Sequence, residues 1–377
     1  EVQQDFMNLA RDFGEKRLAP TIMERDHQGI YDDALIAELL SLGITGAYFE
    51  EKYGGAGDDG GDVLSYILAV EELAKYDAGV SITLSATVSL CANPIWQFGT
   101  EEQKEKFLVP LVEGTKLGAF GLTEPNAGTD ASGQQTVAVK NDDGTYTLNG
   151  SKIFITNGGH ADIYIVFAMT DKSKGNHGIT AFILEDGMPG FTYGKKEDKM
   201  GIHTSVTMEL VFQDVKVPAE NMLGEEGKGF KIAMMTLDGG RIGVAAQALG
   251  IAEAALADAV EYSKQRVQFG KPLCKFQSVS FKLADMKMQI EAARNLVYKA
   301  ACLKQEGKPF TVDAAIAKRV ASDVAMRVST EAVQIFGGYG YSEEYPAARH
   351  MRDAKITQIY EGTNEVQLMV TAGALLR

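Results

Sequence analysis

One carboxylate near the C-terminus has the setting of a general base. Glu361 follows Ile359 and Tyr360 and precedes Gly362 in the segment QIYEGTN at 358–364. A carboxylate among apolar and aromatic groups has a raised pKa, which suits it to remove a proton near neutral pH. The alternative is an acid at a helix N-terminus, where the helix dipole favours negative charge. The spacing alone favours this alternative.

A pair of glycines interrupts an apolar helical pattern in the segment LDGGRI at 237–242. Each glycine inside a helix costs about 1 kcal/mol relative to alanine. The pair therefore indicates that a ligand or a backbone segment approaches the helix closely. Asp238 and Arg241 flank the pair and lie one turn apart on one face. The alternative is a salt-bridged, locally kinked helix.

Two further segments could contact a polar ligand. Residues 120–130, FGLTEPNAGTD, place hydroxyls and backbone N–H groups around Pro125 and Gly128. Such a rigid loop suits a ligand with many acceptors, such as a flavin ring edge or a phosphate, and an ordinary turn between domains explains it about equally well. Residues 150–159, GSKIFITNGG, end a strand in a turn with Thr156 at its edge, which is a weak signal alone.

Other patterns exclude common classes of protein. Residues 55–60 match G-x-G-x-x-G, but Asp58 and Asp59 would repel a pyrophosphate and no βαβ unit surrounds them. The five histidines have no metal-ligand spacing, so we assign no metal. A formal net charge of −14 argues against nucleic acid as a partner. Three separated cysteines fit free thiols in a reducing compartment, and no run of 18 apolar residues predicts a membrane span, so a cytoplasmic location is expected.

The hydrophobic periodicity divides the 377 residues into helical, β and helical parts, predicted at 1–117, 118–224 and 225–377. The middle part has alternating runs and an Asn-Gly turn at 149–150. These antiparallel-looking strands without intervening helices predict a small β-barrel or sandwich, and the fold class is α+β. The predicted strands lie at 145–156, 162–170, 178–185 and 207–217. Helices at 230–268, 276–307 and 311–336 and a last one from about 363 predict a four-helix bundle.

Taken in order, five segments resemble the acyl-CoA dehydrogenase family across essentially the whole chain. They are LTEPNAGTD at 122–130, GSKIFITNG at 150–158, RVQFGKPLCKFQ at 266–277, QIFGGYGY at 334–341 and IYEGTNEVQ at 359–367. The resemblance implies an N-terminal α-domain, a central β-domain and a C-terminal four-helix bundle. It also implies FAD as the cofactor and a short-chain acyl-CoA, of the butyryl-CoA type, as the substrate.

The resemblance implies a role for individual residues, with Glu361 as the base. The residues implied to line the flavin or the adjoining thioester are Phe120, Leu122, Thr123, Thr129, Phe154 and Thr156. Those implied to hold the FAD diphosphate and adenosine, partly from a neighbouring subunit, are Arg266, Phe269, Gln277, Gln334, Gly337 and Gly338. Thr363 and Glu365 resemble positions that close over the cofactor. The implied substrate contacts are Thr129, Asp238, Arg241, Tyr360 and Gly362.

The implied reaction removes the α-proton of the thioester with Glu361 while the β-hydrogen leaves as hydride to the flavin, or runs in reverse during fermentation. The substrate carbonyl would be polarised by the backbone N–H of the base and by a ribityl hydroxyl. One subgroup of the family places its base where this chain has Gly240, which cannot serve. The resemblance also implies an electron-transferring flavoprotein as partner and a homotetramer. An acyl-CoA dehydrogenase of another chain length, an acyl-CoA oxidase and a DNA-binding flavoprotein relative are the alternatives.

Overall fold

The computed structural model describes residues 2–57 and 62–376, so residues 58–60 of the rejected glycine motif lie outside it. Helices dominate the first part of the chain, as predicted. A helix over Asp33–Ser41 begins where the Asp32 carboxylate accepts the Leu35 N–H at 3.0 Å. The helices are α1 (Val2–Phe13), α2 (Ile22–Gln28), α3 (Asp33–Ser41), α4 (Val63–Tyr76), α5 (Ala78–Ser85), α6 (Asn93–Phe98), α7 (Glu101–Gln103) and α8 (Val109–Val112).

Two helical stretches, Ala78–Phe98 and Gly229–Gln265, are long and apolar enough to cross a membrane by length and composition. Neither stretch is an uninterrupted run of 18 apolar residues, as the sequence indicated. They qualify because small polar residues such as Thr83 and Ser89 bond back to their own helix, at 3.0 and 2.7 Å, and interrupt apolarity only weakly. The most apolar windows of the two stretches are 100% and 72% buried inside the protein, which is the environment of core helices.

A mixed sheet forms the middle part. Its strands are β1 (Gly118–Gly121), β2 (Val137–Lys140), β3 (Tyr146–Thr156), β4 (Ile163–Met169), β5 (Ile179–Glu185), β6 (Phe191–Lys196), β7 (Thr207–Val217) and β8 (Met222–Leu223). The order is β6-β7-β3-β2-β4-β5-β8, with β1 beside β4. The β1–β4 and β2–β4 pairs are parallel, so the antiparallel description was incomplete. Strand β4 is buried along its whole length rather than alternately, a pattern typical of a strand with parallel neighbours.

The predicted Asn-Gly turn at 149–150 is wrong, because both residues lie inside strand β3. The register against β7 shifts between Leu148 and Gly150, which marks a bulge. Gly150 has a φ of 144°, and a Cβ there would lie 2.5 Å from the Thr136 hydroxyl. The glycine is therefore required by a close approach across the sheet, not by a chain reversal.

Long helices form the last part. They are α9 (Gly229–Gln265), α10 (Gln277–Gln305), α11 (Thr311–Phe336), α12 (Pro346–Ile356) and α13 (Asn364–Leu375). The first ends three residues earlier than predicted, because residues 266–268 leave the helix and enter a small hairpin of β9 (Val267–Gln268) and β10 (Lys271–Pro272). Helix α12, which is short and polar, was not predicted. The predicted domain boundaries fall between α8 and β1 and between β8 and α9.

Small residues bring the N-terminal and C-terminal helices together. Gly250 of α9 packs so closely on α4 that a Cβ would lie 2.2 Å from the Glu71 carbonyl oxygen and 2.7 Å from the Ala74 methyl group. Buried alanines continue this surface along α9 and α11. Such contacts let helices approach closely and fix how the two helical parts meet.

We expect Gly250→Ala to destabilise the protein by about 1–3 kcal/mol, because α4 must move away from the new methyl group. Gly373→Ala is the matched control, since Gly373 lies exposed in α13 with nothing within 4 Å of its Cβ position. The control should gain up to about 1 kcal/mol from helix propensity. The midpoints of thermal unfolding measure both changes, and equal midpoints for the two variants would contradict the packing argument.

Candidate active site

A cavity of about 190 Å³ lies where the three parts of the chain meet. Its apolar walls come from the helical stretch after Ala78, from β1, from β3 and from α9. The loop between α12 and α13 contributes the acidic group. The lining residues are Ile82, Ala86, Leu90, Phe120, Leu122, Thr123, Gly128, Thr129, Ala131, Phe154, Ile155, Thr156, Met234, Leu237, Arg241, Tyr360, Glu361, Gly362 and Val366.

Glu361 borders this cavity from a strained turn. Its φ is 54° and that of Gly362 is 87°, so two successive residues are left-handed. A left-handed glutamate is uncommon and costs about 1–2 kcal/mol, which makes the turn a deliberate feature. Helix α13 begins later, at Asn364, with Thr363 as its N-cap. The helix-terminus interpretation of Glu361 is therefore wrong, because the residue precedes the cap.

The carboxylate of Glu361 is half-buried, and its Oε2 atom is shielded from solvent without a hydrogen-bond partner among the described residues. Burial raises the pKa of Glu361 to about 7, and the nearby Lys318, Arg241 and Lys304 cations oppose that rise. Because burial outweighs the cations, a substantial fraction of the carboxyl group is ionised and another is protonated at neutral pH. Such a group can accept a proton from a weak carbon acid and release it later.

The paired glycines of α9 provide the space for this carboxylate. A Cβ on Gly240 would lie 2.0 Å from Glu361 Oε2, and one on Gly239 would lie 2.3 Å from Lys304 Nζ. The predicted close approach is present, but the approaching groups are these two side chains and not a backbone segment. The salt-bridge alternative also holds, since Arg241 Nη1 contacts Asp238 Oδ1 at 2.5 Å.

Asp238 faces the neighbouring helix as well as Arg241. The Thr311 hydroxyl donates a hydrogen bond to Asp238 Oδ2 at 2.7 Å. Asp238 does not line the cavity, whereas Arg241 does. Arg241 is 5% exposed, so it is a buried cation held in place by the aspartate. The two residues lie on one face as predicted, and only Arg241 reaches the cavity.

The loop after β1 is fixed from behind by a buried ion pair. Lys152 is fully buried, and its ammonium donates to Glu124 Oε1 at 2.7 Å and to the Leu122 carbonyl oxygen at 3.1 Å. The Glu124 carboxylate also accepts the backbone N–H of Gln135 and Thr136, at 2.6 and 3.1 Å. Glu124 is thus turned inward and holds the loop that carries the threonines of the cavity.

The other predicted site residues are divided between separate places. Arg266, Gly337 and Gly338 line a second cavity, of about 530 Å³, and Thr363 and Glu365 line a third, of about 290 Å³. Phe269 lies at the tip of the β9–β10 hairpin, 94% exposed, with a φ of 50°. Gln277 and Gln334 are exposed on α10 and α11. None of these residues is among those that line the cavity of Glu361.

Several candidate functional residues were not predicted from the sequence. The apolar lining residues Leu90, Met234 and Val366 carry no signal beyond ordinary helical periodicity. Lys304 and Lys318 are different, because each is a cation that acts on the charge of Glu361. A lysine within the alanine-rich run AAIAK, at a buried position of α11, was a signal that could have been noticed.

Comparison with known proteins fits this geometry. The chain matches the family models for the N-terminal, middle and C-terminal domains of acyl-CoA dehydrogenase, at residues 1–115, 119–215 and 227–376. The short-chain specific acyl-CoA dehydrogenase of Megasphaera elsdenii is 93% identical over 377 residues, which cover 100% of this chain and 98% of that protein. The chain belongs to the acyl-CoA dehydrogenase family.

Solved structures of acyl-CoA dehydrogenases and related proteins share the whole fold. Butyryl-CoA dehydrogenase from Megasphaera elsdenii aligns with a TM-score of 0.99 and 93% identity, covering 100% of this chain and 98% of that one. A chain solved in work on the electron transferring flavoprotein of Acidaminococcus fermentans aligns at 0.98 and 66%, with 100% and 98% covered. PigA, solved with FAD and proline, aligns at 0.94 and 32%, with 100% and 97% covered.

The cofactor of this acyl-CoA dehydrogenase is FAD, and the cavity residues fit a flavin. Thr123, Thr129 and Thr156 bring hydroxyl groups to the cavity wall. Phe154 lines the same wall, remains 59% exposed and has a φ of 58°. An apolar ring held in a left-handed conformation and left uncovered by the protein suits contact with a planar aromatic group.

We expect Glu361→Gln to raise the thermal midpoint of the enzyme by a few degrees at pH 8 and to leave it nearly unchanged at pH 4.5. The raised pKa means that the buried carboxyl group favours folding while protonated and that this contribution is lost as pH rises from 4.5 to about 7. At pH 8 the neutral amide avoids the free-energy cost of the ionised carboxylate in this site, which is at most about 3 kcal/mol. Calorimetry at the two pH values, with matched FAD content, measures the difference.

Glu365→Gln is the matched control for this experiment. A backbone hydrogen bond holds the pKa of the exposed Glu365 below its usual value, so its replacement should give no gain at pH 8. An identical effect of Glu361→Gln at both pH values would show that Glu361 has an ordinary pKa.

Proposed function

We propose that this enzyme oxidises short-chain acyl-CoA thioesters between Cα and Cβ, with Glu361 as the base that removes the α-proton. The single observation that carries the proposal is the carboxylate of Glu361, shielded at Oε2, without a partner there among the described residues, and bordering the cavity. A base in this state can accept a proton from carbon without first breaking a hydrogen bond. Burial also brings its pKa to about 7, where abstraction at neutral pH is efficient.

The reaction removes two hydrogens from the substrate, one as a proton and one as a hydride, and each has its own acceptor. Glu361 takes the α-hydrogen as a proton, the C–H pair of electrons forms the Cα–Cβ double bond, and the β-hydrogen departs with its electrons. FAD, when bound, supplies the acceptor for that hydride. The protein supplies the dry cavity, in which Leu90, Met234 and Val366 exclude water and strengthen the electrostatic interactions of the base.

Neighbouring side chains orient the base. The Tyr360 hydroxyl donates a hydrogen bond to Gln247, and the Gln247 amide donates to the Ala78 carbonyl oxygen at 2.8 Å. This relay ties the loop of Glu361 to α9 and to the start of α5. The backbone N–H of Glu361 would polarise the substrate carbonyl from its left-handed turn.

The preference for a short chain is supported by relatives and by the cavity itself. The Megasphaera elsdenii relative is named for short-chain specificity and its structure for butyryl-CoA. In this chain, Ile82 and Leu90 line the cavity, and Leu90 also packs on α9, 2.9 Å from the Cβ position of Gly240. We propose that these side chains limit the depth available to the acyl group.

The likeness to the Acidaminococcus fermentans chain supports an electron-transferring flavoprotein as electron partner. We propose a homotetramer in which a neighbouring subunit completes the FAD site. Exposed apolar residues support a subunit interface: Phe269 is 94% exposed, Tyr341 89%, and Phe281 and Met288 64% each. The predicted FAD contacts and a cytoplasmic location stay predictions; those contacts are Arg266, Phe269, Gln277, Gln334, Gly337, Gly338, Thr363 and Glu365.

We expect butyryl-CoA to bleach the visible absorbance of the bound flavin rapidly under anaerobic conditions, and octanoyl- and palmitoyl-CoA to bleach it slowly. Glu361→Gln should slow bleaching by butyryl-CoA at least about 10³-fold, because the amide cannot accept the proton. Stopped-flow absorbance measures the rates, with FAD content checked in each sample. Bleaching only by longer chains would overturn the short-chain preference, and rapid bleaching in the variant would remove Glu361 as the base.

A further inference from the structure

A buried lysine on α11 contacts the turn that carries the base. Lys318 is fully buried, and its ammonium donates hydrogen bonds to the Gly362 carbonyl oxygen at 2.8 Å and to Asn364 Oδ1 at 3.0 Å. Burying an ammonium group costs free energy, because the charge loses its hydration, unless hydrogen bonds or nearby anions compensate for that loss. Both acceptors belong to the segment that immediately follows Glu361.

The contact holds a left-handed part of the backbone. Gly362 follows Glu361, and both residues are left-handed. Its carbonyl oxygen also accepts the Gln367 side-chain amide at 2.9 Å, so donors from α11 and α13 hold one peptide. The direction of this peptide sets where the Glu361 side chain points. Lys318 therefore acts on the base through its neighbour.

A second set of bonds fixes Asn364 against the same helix. The Asn364 amide donates to Ser322 Oγ at 2.9 Å and to Asp323 Oδ1 at 2.8 Å. The Gln358 amide donates to the same Asp323 oxygen at 2.8 Å. One face of α11 thus holds the loop on both sides of Glu361, and Lys318 is the positively charged member of that face.

The charge of Lys318 is not cancelled by a direct ion pair within residues 2–57 and 62–376. Its two hydrogen-bond acceptors are neutral, whereas Arg241 is paired with Asp238 at 2.5 Å. Burial lowers the pKa of Lys318 to about 7, and the charge of Glu361 opposes that decrease. Each ion therefore stabilises the other.

Other groups facing the pair come from every adjoining element. The cations Arg241 of α9 and Lys304 of α10 lower the pKa of Glu361, as Lys318 itself does. Asp323 on α11 and Glu365 on α13 act on Lys318. The charge of Glu361 also raises the pKa of the hydroxyls of Tyr66 on α4 and of Tyr360. None of these acidic or phenolic groups contacts the Lys318 ammonium directly among the described residues.

We propose that Lys318 is a positioning residue of the reaction, which holds the left-handed Glu361–Gly362 turn and supplies the unpaired positive charge that keeps the Glu361 carboxylate available. The proposal rests on the role of Glu361 given above. A purely structural lysine would satisfy the Gly362 carbonyl and have no effect on the titration of the base. The pH dependence of catalysis separates the two possibilities.

The test uses the FAD-loaded enzyme and its Lys318→Met and Lys318→Gln variants. The rate of flavin reduction per concentration of butyryl-CoA is measured by stopped flow from pH 5.5 to 9, at the low substrate concentrations that report on the free enzyme. We expect the acid limb to move up by about one pH unit in both variants, since loss of a nearby cation disfavours the carboxylate. The high-pH plateau should fall at least about tenfold in Lys318→Met and less in Lys318→Gln, which keeps a donor for Gly362.

Lys299→Met is the matched control, because Lys299 makes an exposed pair with Asp313 of α11 at 2.8 Å. Its pH profile should superimpose on that of the wild type. An unmoved acid limb in Lys318→Gln overturns the proposal, whether or not Lys318→Met retains FAD, and so does a lowered plateau with an unmoved limb. Wild type and Glu361→Gln are run alongside, so that a failure of the base assignment is seen separately, as retained activity in Glu361→Gln.

Discussion

The site depends on a half-buried carboxylate whose Oε2 atom is shielded from water and has no hydrogen-bond partner within the described part of the chain. Such burial costs free energy, and the protein offsets it with the cations Arg241, Lys304 and Lys318 placed around Glu361. Direct ion pairing would have lowered the pKa and weakened the base. Burial without any cation would have kept the carboxyl group protonated. The arrangement lies between these limits and brings the pKa to about 7.

This requirement explains why three structural parts meet at one cavity. Helix α9 must lack side chains at Gly239 and Gly240 so that Glu361 and Lys304 can enter. Helix α11 must hold the left-handed turn through Lys318. The sheet part closes the cavity with β1 and β3, and the buried Lys152–Glu124 pair fixes the loop that follows β1. A change in the packing of any one part would therefore displace the base relative to the cavity.

Much of this could be predicted from the sequence, and the remainder has identifiable physical reasons. Helical and alternating periods gave the three parts, and the glycine pair at 239–240 indicated a close approach that the structure contains. Strand direction was not predicted, although the continuous apolar run of β4, which is buried along its whole length, is typical of a strand with parallel neighbours. Asn149–Gly150 resembles a hairpin turn in sequence but forms a bulge. The cations around Glu361 come from helices distant in sequence, so no local pattern reveals them. Residues such as Phe269 and Gln277 are exposed and do not line the cavity of their own chain, and periodicity does not show what an exposed residue binds.

The most direct test is the ionisation of Glu361 itself, observed without catalysis. Infrared difference spectra of enzyme labelled with ¹³C at the glutamate carboxyl groups, recorded across pH 4 to 9 and subtracted from those of labelled Glu361→Gln, isolate the carbonyl stretch of this one protonated acid. A band that disappears with a midpoint near pH 7 is the result that the buried, partly compensated carboxylate predicts. A midpoint near 4.5, or a band that persists to pH 9, would contradict the account, because the base would then be either too weak or permanently protonated.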